Sequence, residues 1–503
     1  MKDPAPVQTV AYEEHVKMLD KKDREIGCLK ETITNLLELL YAPKRERFIP
    51  DPSTNQGELF ADEILPVEEV PEEEETVTIK KKRGRRLLSG SKFPDHLPVE
   101  EIVLDPEGDL SHLTKIGEDV REILRYNPAS FSVLRIKRSK YCDPKNPAAG
   151  VLMASLPAEV VGKCTASASL LSHVVVNKYV HHMPIERMLH QFSQAGLALP
   201  KSTVTGWVQQ VSRILAPLGE LLREEILNGG YIQADETRIP VQDRAKSKQS
   251  GKHHTGYYWI YSDPVSNLVM FDYQQDRSRD GPTTFLKGFK GALQTDGYVV
   301  YEWFDQLDEV TQYCCWAHAR RYFYNAKRLH PKYAKVALTL IQRLYAVERK
   351  LRQGGASFEE RAQVRQRRSV PILEKLKAHL EGHPTFKGCP WDTAVCYTLN
   401  RWDQLTRFTR NGIVEIDNNL VENRIRPVAL GRKNYLFAGS HDAAKGVALL
   451  YSLLSTCKQH NVKYMVWLED VLKQISKLPA SQLHTLLPHH WKVNREVTLA
   501  KAA

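Results

Sequence analysis

Three acids stand where folding alone gives little reason for a carboxylate, and together they suit metal-dependent work on phosphate esters. Asp235 sits in YIQADETRIPV, a strand-like run whose preceding apolar residues put it in a central strand. A carboxylate there has to be solvated, paired or metal-bound. Asp296 ends a second such run, GALQTD, where Gly297 lets the chain turn sharply and leaves the acid at the strand's end. Glu422 lies in EIDNNLVENRIRPVALGRKN, where Asp417, Asn418 and Asn419 read as a helix start and Glu422 falls about one turn in.

Two aspartates at neighbouring strand ends and a glutamate from a helix make a hard, oxygen-only, open site of the kind that takes Mg²⁺ or Mn²⁺. A pair of such ions about 4 Å apart activates an attacking water or 3′-hydroxyl and stabilises the leaving oxygen of an in-line displacement. That is the chemistry of cutting and rejoining phosphodiester bonds. Each acid also has a plain reading as a turn or cap residue. Each has rivals nearby: Glu236 beside the first, Glu302 and Asp305 after the second, Glu415 and Asp417 before the third. Asp417 reads most simply as an N-cap.

Around these acids stand basic residues that would hold phosphates beside the metals: Arg320 and Arg321 behind CCWAH, and Arg424, Arg426, Arg432 and Lys433 after Glu422. Arginines near acids also serve as structural ion pairs. His318 reads either as a packed, hydrogen-bonded histidine or as a proton shuttle.

The elements that must position this set follow from pattern. YIQADETRIPV, HTGYYWIYSDPVSNLVMFDYQQ and GALQTDGYVVY read as strands, the middle piece as a hairpin turning at Ser262-Asp263-Pro264. Helical segments follow at 281–290 and from Ala317 through Arg328, which indicates a mixed sheet covered by helices. Residues 331–410 are strongly helical and look like an insertion into that sheet domain. The tail from Gly446 to Trp491 is helical and is expected to dock on the outside.

Ahead of the sheet, SLLSHVVVNKYVHHMPIERMLHQFSQAG and STVTGWVQQVSRILAPL show helical apolar spacing, with Pro184 at a helix start and Ser202 as the expected N-cap of the next. Joined by GLALPK, these two helices resemble a helix-turn-helix. Lys201, Ser202 and Thr203, with Thr205 and Gln209, are its candidate DNA contacts, and the same pair serves equally as an all-α core. Residues 101–141 alternate apolar and polar and predict a small β-rich module. From Leu19 to Leu40 apolar residues recur every seven positions, as in a coiled-coil seam or one amphipathic helix packed on its own protein. Between them lies a charged linker: an acidic stretch from Glu68 to Glu75 and the basic block Lys80-Lys81-Lys82-Arg83-Gly84-Arg85-Arg86.

At 503 residues the chain exceeds one compact core. Its 71 Lys and Arg against 60 Asp and Glu favour an anionic partner. Eight cysteines without a regular framework read as reduced intracellular thiols. No run of 18 apolar residues occurs, so no membrane span is expected.

The strings ADETRI, QTDGY, CWAHARRYF and DNNLVENRIRPVALGRKNYLFAGS resemble the transposases of the insertion-sequence family numbered sixty-six. LLSTCKQHNVKYMVWLEDVL with LLPHHW resembles that family's C-terminal segment. The resemblance implies a multidomain α+β protein. Its ribonuclease-H-like mixed α/β catalytic domain, with a helical insertion, would follow a coiled coil, a linker and a helical DNA-binding region. It implies a DDE triad carried by Asp235, Asp296 and Glu422 that binds two Mg²⁺ or Mn²⁺ ions. Spacings of 61 and 126 residues between the three fit such a sheet with an insertion before the last acid.

The modules expected are a coiled coil (1–42), linker (43–95), β-rich module in the position of a zinc finger (96–150) and helix-turn-helix-like region (151–225). Then come the first part of the core (226–330), the insertion (331–410), the last part of the core with the Glu helix (411–445) and a helical C-terminal segment (446–503). The expected partners are double-stranded DNA, both terminal inverted repeats and target, further copies of the chain, and small accessory proteins of the same element. The expected place is the bacterial cytoplasm, at the nucleoid when acting. Family members commonly carry paired cysteines near the position of LDPEGDLSHL. Here there are none, and His112 with Cys142 cannot supply about four ligands, so no zinc is expected.

Overall fold

The structure is a computed structural model that describes residues 97–104, 114–127, 130–142, 150–155, 164–243, 253–383 and 387–502, with positions 18, 22, 93 and 385. The chain divides into two units, Met1–Gly90 and Ser91–Ala503. In the first, Met18 and Lys22 are described, both helical. The heptad row, the acidic stretch and the basic block lie outside the described residues.

The second unit holds two mixed sheets and many helices, an α+β architecture. In the first sheet β1 (Val99–Leu104) runs parallel to β3 (Ser130–Cys142), while β2 (Thr114–Asn127) and β4 (Val151–Met153) pair with β3 antiparallel. Alternation decides its faces. Ile123, Leu134 and Ile136 form a small core of their own, whereas Leu124, Phe131 and Val133 join the main one. Backbone bonds from Leu124 to Thr165 and from Ser167 to Leu124 tie this sheet to the helices that follow.

Those helices are α1 (Ala168–Tyr179), α2 (Ile185–Gln194), α3 (Lys201–Ile214) and α4 (Ala216–Asn228). Ser167 caps α1 by accepting from the Leu170 amide. Ser202 is not a cap: α3 begins at Lys201 with Pro200 in the cap position, since proline supplies the extended φ and ψ and needs no amide partner.

The second sheet comprises β5 (Tyr231–Val241), β6 (His254–Asp263), β7 (Leu268–Gln274), β8 (Gly291–Thr295) and β9 (Val310–Cys314), in the order β7-β6-β5-β8-β9. Strands β5, β6 and β7 form an antiparallel meander, and β8 and β9 run parallel to β5. The β6–β7 turn falls at residues 264–267. Both faces are covered, and period-2 alternation sorts the strand residues between two cores. Ile232 and Leu293 belong to the core shared with α1–α4; Tyr231 and Ala292 belong to one built with the helices after β9.

After β9 come α5 (Trp316–Ala326), α6 (Pro331–Gln353), α7 (Phe358–Val364), a π turn at Arg365–Ser369, α8 (Val370–Glu381) and α9 (Pro390–Asn400). They are followed by α10 (Asn419–Tyr435), α11 (His441–Gln459), α12 (Tyr464–Gln474) and α13 (Pro488–Ala502). The tail does not simply dock on the outside. Leu450 through Cys457 of α11 are buried, and Ser452 and Thr456 accept from the amides of Phe271 and Val269. Two hydroxyls thereby satisfy the open edge of β7, which would otherwise offer itself to another strand. Among the described residues no helix is long and apolar enough to cross a membrane.

Candidate active site

The register of two parallel strands brings the aspartates level. Gln233 of β5 pairs with Gln294 of β8, so Asp235 and Asp296, each two residues further on, stand at the same height on the same face. The amide of Glu236 donates to Asp235 Oδ1 at 2.8 Å, and that of Tyr298 to Asp296 Oδ1 at 2.8 Å. Gly297, at φ +85°, makes the turn that any side chain would resist. A Cβ there would also come within 2.7 Å of Arg401 Nε.

A buried amide network fixes the third acid to the same strands. Tyr231 donates to Gln294 Oε1 at 2.5 Å, and Gln233 Nε2 donates to that oxygen, to the Tyr231 hydroxyl and to the Asp417 carbonyl. Gln294 Nε2 donates to the Glu415 carbonyl, while the amides of Glu415 and Val421 donate to Tyr231 and Gln233. From the β9 side, the Trp316 amide donates to the Ile416 carbonyl and the Asn418 amide to Cys315 Sγ. The start of α10 is thus held from both strands that carry the aspartates, and Glu422 lies in its first turn. Further along α10, Arg432 Nη1 donates to Thr237 Oγ1 and to the Arg238 carbonyl on β5.

The neighbouring acids all have partners of their own. Glu236 is paired with Arg277, Glu302 with Arg401, Asp305 with Arg407 and Glu415 with Arg361. Asp417 accepts from the amide and the side chain of Asn419, and it is Asn418 that occupies the cap position. Among the described residues, no Lys or Arg forms a salt bridge with Asp235, Asp296 or Glu422. Glu422 has instead His318, whose Nε2 is 3.8 Å from Oε1.

The electrostatics follow from that imbalance. Burial, then the charges of Glu236, Asp296 and Glu422, holds the Asp235 carboxyl well above the ordinary aspartate range. Burial and Asp417 raise Glu422, with Arg321 and Arg426 near enough to oppose the shift. Burial keeps the His318 imidazole below its usual value, and its Nδ1 is buried without a hydrogen-bond partner.

Three mutually repelling carboxylates, with no Lys or Arg salt bridge among the described residues, are the donor chemistry that Mg²⁺ or Mn²⁺ takes. The three are neighbours but do not have ligand atoms all within 4.8 Å of one another.

The basic residues divide. Arg320, Arg321, Arg426 and Lys433 are exposed on α5 and α10. Arg424 is not placed for DNA: it is 5% exposed and donates to the Leu268 carbonyl and Asn267 Oδ1. Burial pulls its guanidinium down to about 10. Lys201 and Ser202 are exposed and Thr203 half-buried at the start of α3, with Lys201 paired to Glu186. Lys201 also lines a cavity of about 480 Å³ between α1, α3 and the segment after α10.

Sequence reasoning missed Tyr231, Gln233 and Gln294, and also the clamp on the Asp296 turn. There Tyr397 donates to the Asp296 carbonyl at 2.6 Å and Arg401 to the Gly297 carbonyl at 3.0 Å. A signal for the amides existed: Gln-x-Asp occurs in both IQAD and LQTD, with the glutamine on the aspartate's own face.

Comparisons with known proteins give a consistent picture. The family described as Transposase IS66 family matches residues 163–446, and the IS66 C-terminal element matches 452–489. A third family, described as Transposase C of IS166 homeodomain, matches residues 28–102. Similar proteins include three from Sinorhizobium fredii (strain NBRC 101917 / NGR234), each carrying the name uncharacterized protein. One, y4jD, is 30% identical over 80% of this chain and 82% of its own. Another, y4qI, is 32% identical over 82% and 79%, and y4hP is 28% identical over 82% and 78%.

Proposed function

From the premise that this chain belongs to the transposase IS66 family, we propose that it cuts and joins DNA through one metal-dependent site formed by Asp235, Asp296 and Glu422. The observation that carries the reading is the contrast in partners: each rival acid is neutralised or hydrogen-bonded within the fold, while among the described residues no arginine or lysine forms a salt bridge with these three. The strand order β7-β6-β5-β8-β9, with the first three antiparallel and the last two parallel to β5, supports a ribonuclease-H-like core.

In this reading the three carboxylates hold two Mg²⁺ or Mn²⁺ ions, which supply activation of a water or 3′-hydroxyl and stabilisation of the leaving oxygen. The protein's own part is placement. The glutamine network keeps the Glu helix against the strand ends, and Tyr397 with Arg401 fixes the turn behind Asp296. Arg320, Arg321, Arg426 and Lys433 grip phosphates beside the acids, while Lys201, Ser202 and Thr203 with the homeodomain-like stretch at 28–102 recognise the element's terminal repeats. Two ends must be brought together, so the chain acts as a multimer, with accessory proteins of the same element as further partners. Its place of action is the bacterial cytoplasm, at the nucleoid.

A pre-cut element end incubated with plasmid tests the reading. Wild-type protein is expected to join end to plasmid in Mg²⁺, and Asp235→Ala, Asp296→Ala and Glu422→Ala to lose joining while retaining DNA binding. Cleavage without any joining would favour a metal-dependent structure-selective nuclease on the same scaffold, and DNA binding with neither would favour a catalytically decayed DNA-binding protein. Wild-type joining by any of the three variants removes that residue from the site.

A further inference from the structure

A second group of ligand-type side chains lies where the C-terminal segment meets α4. Glu225 stands on α4, and His489 and His490 open α13 behind Pro488. Glu225 Oε2 is 2.7 Å from His489 Nε2, and Oε1 is 3.0 Å from His490 Nε2. Among the described residues this is the group of His, Cys, Asp and Glu whose ligand atoms all lie within 4.8 Å of one another.

His460, which ends α11, brings a third imidazole just outside this group, its ring centroid 5.3 Å from that of His489. His460 Nε2 and His489 Nδ1 are both buried without a hydrogen-bond partner. Tetrahedral Zn²⁺ with bonds of about 2.0–2.1 Å to nitrogen and carboxylate oxygen sets its ligand atoms about 3.3 Å apart. Each Glu225 oxygen lies at hydrogen-bond distance from one imidazole nitrogen, 2.7 and 3.0 Å, and the three ligand atoms lie within 4.8 Å of one another, so side-chain rotations would bring them to that spacing.

We infer that Glu225, His489 and His490 form a binding site for a divalent cation of the Zn²⁺ class, with His460 beside it as the candidate fourth ligand. Two imidazole nitrogens and one carboxylate are the borderline-soft set that zinc prefers over Mg²⁺, which sets this site apart from the all-oxygen site at the strand ends. Its position gives it a structural task. Helix α4 leads directly into β5, the strand of Asp235, so a metal here staples the C-terminal segment to the element that positions the first acid. The expectation of no zinc rests on the region around His112 and Cys142, and this proposal departs from it.

The test uses the full chain stripped with EDTA and titrated with Zn²⁺ alone, read by calorimetry, metal analysis after dialysis and Tm. Co²⁺ absorption serves as an independent sign of tetrahedral nitrogen ligation. Wild type and Asp235→Asn are expected to keep one equivalent of zinc and to gain Tm on its addition. Glu225→Gln and His490→Ala are expected to bind at least tenfold more weakly and to lose the Tm gain. His490 is 43% exposed, so its alanine variant folds even if Glu225→Gln does not. Unchanged zinc binding in both variants, loss of that equivalent in Asp235→Asn, or no zinc bound by wild type would leave these residues as a hydrogen-bonded cluster only and overturn the proposal.

Discussion

Asp235→Asn is expected to abolish DNA cleavage and joining while making the metal-free protein more stable. The activity loss follows from the carboxylate's proposed share in ion binding. Metal stabilisation of the transition state is worth several kcal/mol, and three orders of magnitude in rate correspond to about 4 kcal/mol. The stability gain follows from burial and repulsion: the Asp235 carboxyl is held well above its ordinary value by desolvation and by Glu236, Asp296 and Glu422.

The sign is fixed by linkage. A carboxyl whose folded-state pKa is raised favours folding while protonated, and that contribution is lost as pH rises from the unfolded value through the folded one. In EDTA, wild-type Tm should therefore fall as pH rises from the ordinary aspartate range upward, and the asparagine variant should fall less. At neutral pH the variant should be more stable by about 0.5–2 kcal/mol. Mg²⁺ should restore wild type and leave the variant nearly unmoved. A variant that is less stable than wild type in EDTA, or whose Tm responds to Mg²⁺ as wild type does, would show Asp235 to be a structural acid.

The largest effect on stability is expected at Arg365. Its side chain is fully buried at the π turn and uses every arm of the guanidinium. Nε and Nη2 donate to the two oxygens of buried Glu348 at 2.8 and 2.7 Å, and Nη1 donates to the carbonyls of Phe408, Asn411 and Val414. Arg365→Ala leaves buried Glu348 to Arg361, 3.6 Å away, without its two direct donors, and leaves three carbonyls in need of donors, which costs about 3–5 kcal/mol. Lysine cannot reproduce the fork and should not restore the loss.

Glu348→Leu combined with Arg365→Met should unfold later in urea than Arg365→Ala, because removing both charges costs less than stranding one. Val414 leads into Glu415, whose carbonyl and amide join the network that seats α10, so strand cleavage should fall with stability. A urea midpoint for Arg365→Ala within about 1 kcal/mol of wild type would refute this role.

What the residues disclosed and what they withheld divide along physical lines. The strands of Asp235 and Asp296 were legible because period-2 alternation and Gly297 act locally. The pairing that sets those aspartates level was not, since it depends on register between strands about 60 residues apart. Glu422 was singled out mainly by resemblance, with Glu415 and Asp417 as rivals. The fold separates them through Arg361, which α7 brings to Glu415, and through Asn419, which donates to Asp417.

Arg424 looked like its neighbours on a basic stretch, yet it faces the β6–β7 turn and is consumed there. Arg365 in RQRRS likewise carries no local mark that separates it from Arg367 and Arg368, because its partners come from Glu348 and from residues 408–414. The burial of α11 escaped for the same reason: its serine and threonine read as polar until β7 lies against them.

The claim at the centre is that three acids from two parallel strands and one helix hold metal together. Diffraction from Mn²⁺-soaked crystals, recorded with anomalous signal, tests it most directly. The account predicts manganese peaks within coordination distance of Asp235, Asp296 and Glu422, with Glu236 still paired to Arg277. Peaks held by Glu236, Glu302 or Asp417, or none near Asp235 at saturating Mn²⁺, would contradict it.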